Sequence, residues 1–274
     1  IHFFSVIPGG SINFLRYVKN QNKKIVISPN IWLENKNHDE FEQIKYILHL
    51  ADVVIVNSEV EKKKLSSLFQ IDIKKIKVIF NFVDSEYYEN QTIKKNFIKK
   101  FKIKKPYFLT VGNIEERKNQ NLIIKILDKF PNINFVNIGN TREKNYLNIF
   151  NKLKNQVYLI NYIKDKKILK SAYENAEIFV LPSKCETPSI AALEAACFNK
   201  RIIITNVGST TEYFGNFVNY IDIYNSNKFE TIIKETLTKP SPKLLKNHIK
   251  KNFTEKKQMP KLIKIYKTLN ENSN

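Results

Sequence analysis

Short apolar runs alternate with segments of helical periodicity from one end of the chain to the other. The runs are rich in β-branched and aromatic residues, which is typical of strands buried on both faces of a sheet. Nine runs stand out: 23–28, 52–56, 76–80, 107–111, 133–138, 157–160, 177–181, 201–205 and 218–222. Amphipathic segments such as 59–69 and 121–130 lie between them. This alternation predicts an α/β fold built from parallel sheets and crossover helices.

The spacing of the runs predicts two Rossmann-like domains. Six runs follow Tyr107, which is enough for one complete doubly wound domain, whereas fewer precede it. We therefore predict a partial N-terminal domain over residues 1–90, a lysine-rich linker over 91–104 and a second domain over 105–253. The remaining residues, 254–274, are predicted to form a helix that packs back on the first domain.

The charge of the chain is strongly positive, at +20 for 274 residues. The excess is almost entirely lysine, interleaved with Ile and Asn, so a bias toward A/T-rich codons explains much of it. The densest stretch, 94–105, could be a solvated face or a cationic surface for anionic lipid headgroups. Nucleic-acid binding is a third interpretation, but net charge alone is weak evidence for it.

Cysteine content and hydropathy exclude several classes. Cys185 and Cys197 lack the spacing of a zinc site or a disulfide framework, so no metal site is expected. No apolar run approaches the roughly 20 residues that span a bilayer. The chain begins at Ile1 and its only methionine is Met259, which suggests a fragment of a longer protein.

The stretch "PSKCETPSIAALEAA" (182–196) places a carboxylate, Glu194, inside an apolar helical run. Pro188 suits the first position of a helix and Thr187 is then the expected N-cap. A loop at the carboxyl end of a parallel strand is where open α/β sheets bind ligands, and free N–H groups there suit phosphate. Glu194 needs donors, which a ligand's hydroxyls could supply; alternatively it reaches solvent or a lysine.

A second constellation is "TVGNIEERKNQNL" (110–122), where a strand runs into Gly112 and a polar loop. Arg117 and Lys118 then stand at a predicted helix start, where cations oppose the helix dipole. A bound oligophosphate would reverse that penalty. The alternative is that both side chains are simply solvated.

Together these stretches resemble glycosyltransferase family 4, the retaining nucleotide-sugar transferases of the GT-B fold. The resemblance rests on "VGNIEERKNQNL", on "AEIFVLPSKCETPSIAALEAACFNKRIIITNVGSTTEYF", and on "ADVVIVNSEVEKKKL" and "IKVIFNFVD" earlier in the chain. Its most specific signal is the pair Glu186 and Glu194, separated by seven residues.

The resemblance implies roles for individual residues. Glu194 would accept hydrogen bonds from the ribose, and Glu186 would lie near the donor sugar and its anomeric carbon. Arg117 and Lys118 would neutralise the diphosphate, which makes these two and Glu186 the predicted catalytic residues. The other predicted donor-binding residues are Gly112, Asn113, Tyr162, Thr187, Ser189 and Ile190. Amides near Ser189 and Ile190 would bind the distal phosphate, and Tyr162 would hold the base through its main chain.

The implied reaction transfers a sugar from a UDP- or GDP-sugar to a glycan or lipid-linked acceptor with retention of configuration. It requires no metal or other cofactor, and it would serve bacterial surface polysaccharide or lipopolysaccharide synthesis. We expect a cytoplasmic protein that could rest on the inner face of the plasma membrane, with no nucleic-acid partner.

The chain departs from the family pattern at several positions. Asn113 stands where arginine is frequent, and Ser189 where glycine is common. Asn199 replaces a helix-ending glycine, a conformation that asparagine tolerates, and Asn30 replaces a histidine. "IPGG" (7–10) could imitate the family's glycine-rich loop, but the strand order favours truncation and a piece that is inactive alone. An inactive or accessory nucleotide-sugar-binding homologue therefore stays an alternative, as does a lysine-rich nucleic-acid-binding protein.

Overall fold

The structure, a computed structural model, describes residues 1–6, 11–33, 40–89, 96–144, 147, 148, 150 and 155–271. Two predictions fall outside these ranges, namely the glycine-containing loop at 7–10 and part of the lysine-rich segment, at 94–95. The chain divides into two compact units. Unit 1 comprises Ile1–Asn81 and Glu255–Asn274, and unit 2 comprises Phe82–Thr254.

Unit 1 contains a four-stranded parallel sheet in the order β1-β2-β3-β4. Its elements are β1 (His2–Phe4), α1 (Ser11–Asn20), β2 (Val26–Ser28), α2 (Phe41–Leu50), β3 (Val53–Val56), α3 (Glu59–Phe69) and β4 (Ile76–Val78). Helix α3 begins where predicted, because the Ser58 Oγ accepts the Glu61 N–H at 3.0 Å. Strand β1 is not predicted from the sequence because it contains only three residues, which is too short for a recognisable apolar run.

Unit 2 contains a six-stranded parallel sheet in the order β10-β9-β8-β5-β6-β7. Its strands are β5 (Tyr107–Val111), β6 (Asn134–Ile138), β7 (Val157–Ile160), β8 (Ile178–Leu181), β9 (Arg201–Thr205) and β10 (Asn219–Ile221). Its helices are α4 (Ser85–Tyr88), α5 (Phe97–Phe101), α6 (Asn121–Ile124), α7 (Lys166–Asn175), α8 (Ile190–Ala196), α9 (Thr210–Phe214), α10 (Phe229–Thr238) and α11 (Leu245–Asn252). All nine strands predicted from the sequence are present, and the α/β fold class with two parallel sheets is confirmed.

The last helix, α12 (Glu255–Glu271), belongs to unit 1. Leu262, Ile265, Tyr266 and Leu269 pack against one face of the unit 1 sheet, on Val26, Val53, Ile55 and Ile79. Residues 82–89, which the sequence prediction assigns to the first domain, lie in unit 2. There the ring of Tyr87 packs edge-to-face on Tyr173 with 6.3 Å between centroids.

The predicted single helix over 121–130 is wrong in extent. Helix α6 ends at Ile124, and a 3₁₀ turn follows at Leu127–Lys129. Hydrogen bonds there span three residues instead of four, as from the Lys129 N–H to the Ile126 carbonyl at 3.0 Å. The tighter turn still buries Leu127 and Phe130 in the unit 2 core, so the apolar pattern was informative about burial but not about helix type.

Candidate functional site

The sheet of unit 2 has its topological switch point between β5 and β8. From β5 the chain order proceeds outward through β6 and β7, whereas from β8 it proceeds the other way through β9 and β10. Loops that follow adjacent strands diverge at such a point and leave a crevice at their carboxyl ends, where doubly wound sheets bind ligands. The two motifs singled out in the sequence are the loops after β5 and β8.

An ion pair joins these two loops. The Lys118 Nζ lies 2.6 Å from the Glu186 Oε1, and the two side chains are only 13% and 5% exposed. The lysine stem runs along Gly112, where an added Cβ would lie 3.5 Å from the Lys118 Cε. The structure thus brings Glu186 to Gly112 and Lys118, although Glu186 and Lys118 are 68 positions apart in the sequence.

The backbone of Glu186 is held by the loop after β9. Its N–H donates to the Val207 carbonyl at 3.1 Å, and its carbonyl accepts the Ser209 N–H at 3.0 Å. Between them Gly208 has φ +103°, and a Cβ there would lie 2.0 Å from the Glu186 carbonyl oxygen. Only glycine fits this close approach, so Gly208 fixes the position of the loop that carries Glu186.

Arg117 lies in a 3₁₀ turn (Glu116–Lys118) and not at the start of an α-helix as predicted. Its Nη2 lies 2.8 Å from the Oε1 of Glu115, a buried carboxylate whose Oε2 is 3.8 Å from the Arg142 Nη1. The Arg117 side chain remains 55% exposed, and the backbone carbonyl of Arg117 accepts the Lys184 N–H at 2.8 Å. Glu115 therefore orients a cation beside the loop after β8, a role the sequence reasoning missed.

Two buried amides hold the loop that contains Gly112 and Asn113. The Asn137 Nδ2 donates to the Gly112 carbonyl at 3.2 Å, and the Gln120 Nε2 donates to the Asn113 carbonyl at 2.8 Å. Asn113 thus contributes to loop geometry through its main chain, and its predicted contact with the donor stays a prediction. The neighbouring loop approaches closely as well, since a Cβ on Gly139 would lie 2.2 Å from the Gly112 carbonyl oxygen.

Helix α8 begins at Ile190, and its N-cap is Ser189. The predicted start at Thr187 and Pro188 is wrong because the Ser189 Oγ accepts the Ala192 N–H at 3.2 Å, which is the hydrogen bond of an N-cap. Ser189 is buried, whereas Ile190 is 43% exposed. By helix geometry the Ile190 N–H has no intrahelical acceptor. Asn199, two residues beyond the C-cap, has φ +50°, which confirms the left-handed conformation expected there.

Tyr162 lies after β7 at the same edge of the sheet and is 71% exposed. Its N–H donates to the Asn140 Oδ1 at 3.1 Å. A cavity of about 510 Å³ adjoins it, lined by Lys100, Phe101 and residues 159–165. The predicted base contact at Tyr162 stays a prediction.

Glu194 lies on α8 among the buried residues Ala192, Leu193, Ala195 and Ala196. Its Oε2 accepts the hydroxyl of Tyr173 at 2.6 Å, and Tyr87 supplies a second hydroxyl. Burial raises the pKa of Glu194, and the two tyrosine hydrogen bonds oppose that rise. These two hydroxyls are hydrogen-bond partners of Glu194 among the residues described, and the charge of Lys166 also lowers its pKa. No local spacing in the sequence could have identified these partners.

No group of three or more His, Cys, Asp or Glu side chains within the described ranges has the geometry to hold a metal ion. The helices described are all too short or too polar to cross a bilayer.

A family model described as "Glycosyl transferases group 1" matches residues 91–256, which is more than half of the chain. The chain belongs to this family. The match contains the loops after β5, β8 and β9 and therefore Lys118, Glu186 and Glu194, whereas Tyr87 lies before it. The narrower assignment to family 4 is not decided by it.

A curated relative of this glycosyl transferases group 1 chain is the uncharacterized glycosyltransferase MJ1059 of Methanocaldococcus jannaschii, 28% identical over 218 residues. The alignment covers 74% of this chain and 52% of the relative, so the chain spans about half the length of that protein.

Solved structures confirm the GT-B fold. Sucrose-phosphate synthase from Thermosynechococcus elongatus superposes with a TM-score of 0.82 at 17% identity, covering 98% of this chain and 73% of that one. Anabaena Alr3699/HepE in complex with UDP and glucose also superposes with a TM-score of 0.82, at 15% identity. That alignment covers 97% of this chain and 77% of the HepE chain.

Proposed function

We propose that unit 2 binds a nucleotide diphosphate sugar and that the protein transfers the sugar to an acceptor with retention of configuration. The observation that carries this proposal is the convergence of Lys118, Arg117 and Glu186 at the switch point between β5 and β8. A UDP complex of the similar HepE structure supports the choice of a uridine nucleotide as first probe, with a guanosine nucleotide as the alternative.

The ion pair of Lys118 with Glu186 gives the site its chemistry. As the bond between the anomeric carbon and the diphosphate oxygen breaks, negative charge develops on the leaving phosphate. Lys118 and Arg117 are the cations that stabilise this charge, and the partly buried setting of Lys118 strengthens the effect. The acceptor hydroxyl bonds to the anomeric carbon on the same face, and its proton passes to the departing phosphate. This scheme uses no metal ion.

Ser189 and Glu194 complete the proposed donor site. The first-turn N–H groups of α8 at Ile190 and Ala191 would bind the distal phosphate, since they lack intrahelical acceptors. Thr187 lies beside the sugar in this arrangement, and Glu194 binds the ribose hydroxyls. Unit 1 would supply the acceptor side, for a glycan or lipid-linked acceptor of a surface polysaccharide, in the cytoplasm at the inner face of the membrane.

Thermal unfolding of the full chain with a panel of UDP- and GDP-sugars tests donor binding. At ligand concentrations about 100-fold above Kd, linkage adds about 2.7 kcal/mol, which raises the Tm of a domain of this size by about 5–10 °C. Glu194→Ala should abolish that shift. Salt-sensitive binding to DNA or RNA with no response to any nucleotide sugar would overturn the proposal.

The accessory homologue is a second candidate because Asn113 and Asn30 stand where the family pattern has arginine and histidine. Release of free nucleotide diphosphate from the bound sugar donor distinguishes the two. Turnover that falls in Glu186→Gln identifies an enzyme. If the wild type binds the donor but releases nucleotide diphosphate no faster than Glu186→Gln does, the protein is an accessory protein.

A further inference from the structure

Within the described part of unit 2, Tyr173 and Tyr87 are the side chains whose hydroxyls reach Glu194. Tyr173 comes from the last turn of α7 and Tyr87 from α4, so two separate elements converge on one carboxylate. We propose that these tyrosines are positioning residues that hold Glu194 so that the site discriminates ribose from a sugar lacking the 2′- and 3′-hydroxyls. This inference rests on the proposed nucleotide site.

The aromatic surroundings fix both rings. Tyr173 is fully buried, stacks on Phe198 with 6.0 Å between centroids and lies 5.9 Å from Phe179. Tyr87 packs edge-to-face on Tyr173. The Nζ of the buried Lys170 lies 5.5 Å from the Tyr87 ring centroid. Rings packed on several sides keep one rotamer, so the two hydroxyls define the position of the carboxylate they contact.

Both hydroxyls remain donors in this environment. Burial, reinforced by the nearby Glu194 carboxylate, raises the pKa of Tyr173 well above its ordinary value. The pKa of Tyr87 rises for the same reasons. A protonated tyrosine can always donate its hydroxyl hydrogen to the carboxylate.

A carboxylate has acceptor capacity left after two hydrogen bonds. Its two oxygens offer about four lone-pair directions, and the tyrosines occupy two of them. The remaining two match the vicinal hydroxyls of a ribose. Without the tyrosines, a glutamate with three rotatable side-chain bonds would have to be ordered by the ligand itself, at a cost in binding free energy.

Isothermal titration of the full chain with UDP and with 2′,3′-dideoxyuridine diphosphate tests this inference. Because hydrogen bonds to a charged group are strong, we expect the wild type to bind UDP about 10- to 100-fold more tightly than the dideoxy nucleotide. Tyr173→Phe and Tyr87→Phe should each weaken UDP binding by about 5-fold or more and leave the dideoxy affinity unchanged within about 2-fold. The preference for ribose should shrink accordingly.

Tyr107→Phe is the matched control. Tyr107 is also fully buried in unit 2, and its hydroxyl donates to the Ala172 carbonyl at 2.7 Å, away from Glu194. Its loss should lower Tm without altering the ribose preference. The inference is overturned if Tyr173→Phe reduces both affinities equally, or keeps the wild-type preference while Glu194→Gln loses it. If Glu194→Gln keeps the preference, or if GDP and both uridine nucleotides all fail to bind, the proposed donor site itself is wrong.

Discussion

Replacing Gly208 by alanine tests how the loop carrying Glu186 is fixed. A Cβ at this position would lie 2.0 Å from the Glu186 carbonyl oxygen and 2.8 Å from its carbonyl carbon, at φ +103°. The loops must therefore separate, which breaks the two backbone hydrogen bonds that flank the contact. Two lost bonds at about 1 kcal/mol each, with backbone strain of about 1–3 kcal/mol, predict a loss of about 3–5 kcal/mol. That corresponds to a fall in Tm of about 6–20 °C.

Gly215→Ala is the control for this perturbation. Gly215 is also in unit 2 and has φ +48°, but no heavy atom lies within 4 Å of an added Cβ. Its positive φ, combined with ψ −131°, should alone cost about 1–3 kcal/mol in backbone strain. Thermal unfolding with and without UDP separates the two variants: Gly208→Ala should unfold earlier and lose the nucleotide-induced shift, which Gly215→Ala retains. Equal Tm values and equal shifts would refute the proposed constraint on Glu186.

Three further predictions follow from the same contacts. Lys118→Met leaves the buried Glu186 without its cation and should cost about 3–5 kcal/mol in urea unfolding, with loss of nucleotide binding in titration calorimetry. Lys184→Met removes an exposed ion pair with Glu116 and should change neither measurement. Burial raises the pKa of Glu194, so the folded protein keeps this proton to higher pH than the unfolded chain. As pH rises from 4.5 through the raised pKa, the free energy of unfolding of the wild type should therefore fall relative to that of Glu194→Gln. Urea midpoints of the two proteins that differ by the same amount at every pH would contradict this. Ser189→Ala removes the N-cap of α8 and should cost about 1 kcal/mol in urea unfolding, and an unchanged midpoint would argue against that cap.

The strands were predictable because burial on both faces leaves a local signature in the sequence. Runs such as 177–181 and 201–205 contain few polar residues, and the structure makes both interior strands of the unit 2 sheet. The start of α8 was less predictable. Thr187 with Pro188 and Ser189 with Ile190 are both reasonable caps, and only the hydrogen bond from the Ala192 N–H decides between them.

The partners of the site residues could not be predicted. The Lys118–Glu186 pair joins loops that only the sheet order makes adjacent. The tyrosines that hold Glu194 come from α4 and α7, with no sequence spacing that links them to α8. Polar contacts of this kind depend on tertiary packing, whereas the motifs that flagged Lys118, Glu186 and Glu194 are local.

The most direct test of the nucleotide site is a crystal structure of the full chain with the nucleotide diphosphate that raises Tm most. The diphosphate is predicted to lie at the carboxyl ends of β5 and β8, with an oxygen about 2.7–2.9 Å from the Lys118 Nζ. Its ribose hydroxyls should contact the Glu194 carboxylate. A nucleotide bound elsewhere on the protein, or one whose phosphates lie away from Lys118, would contradict the assignment.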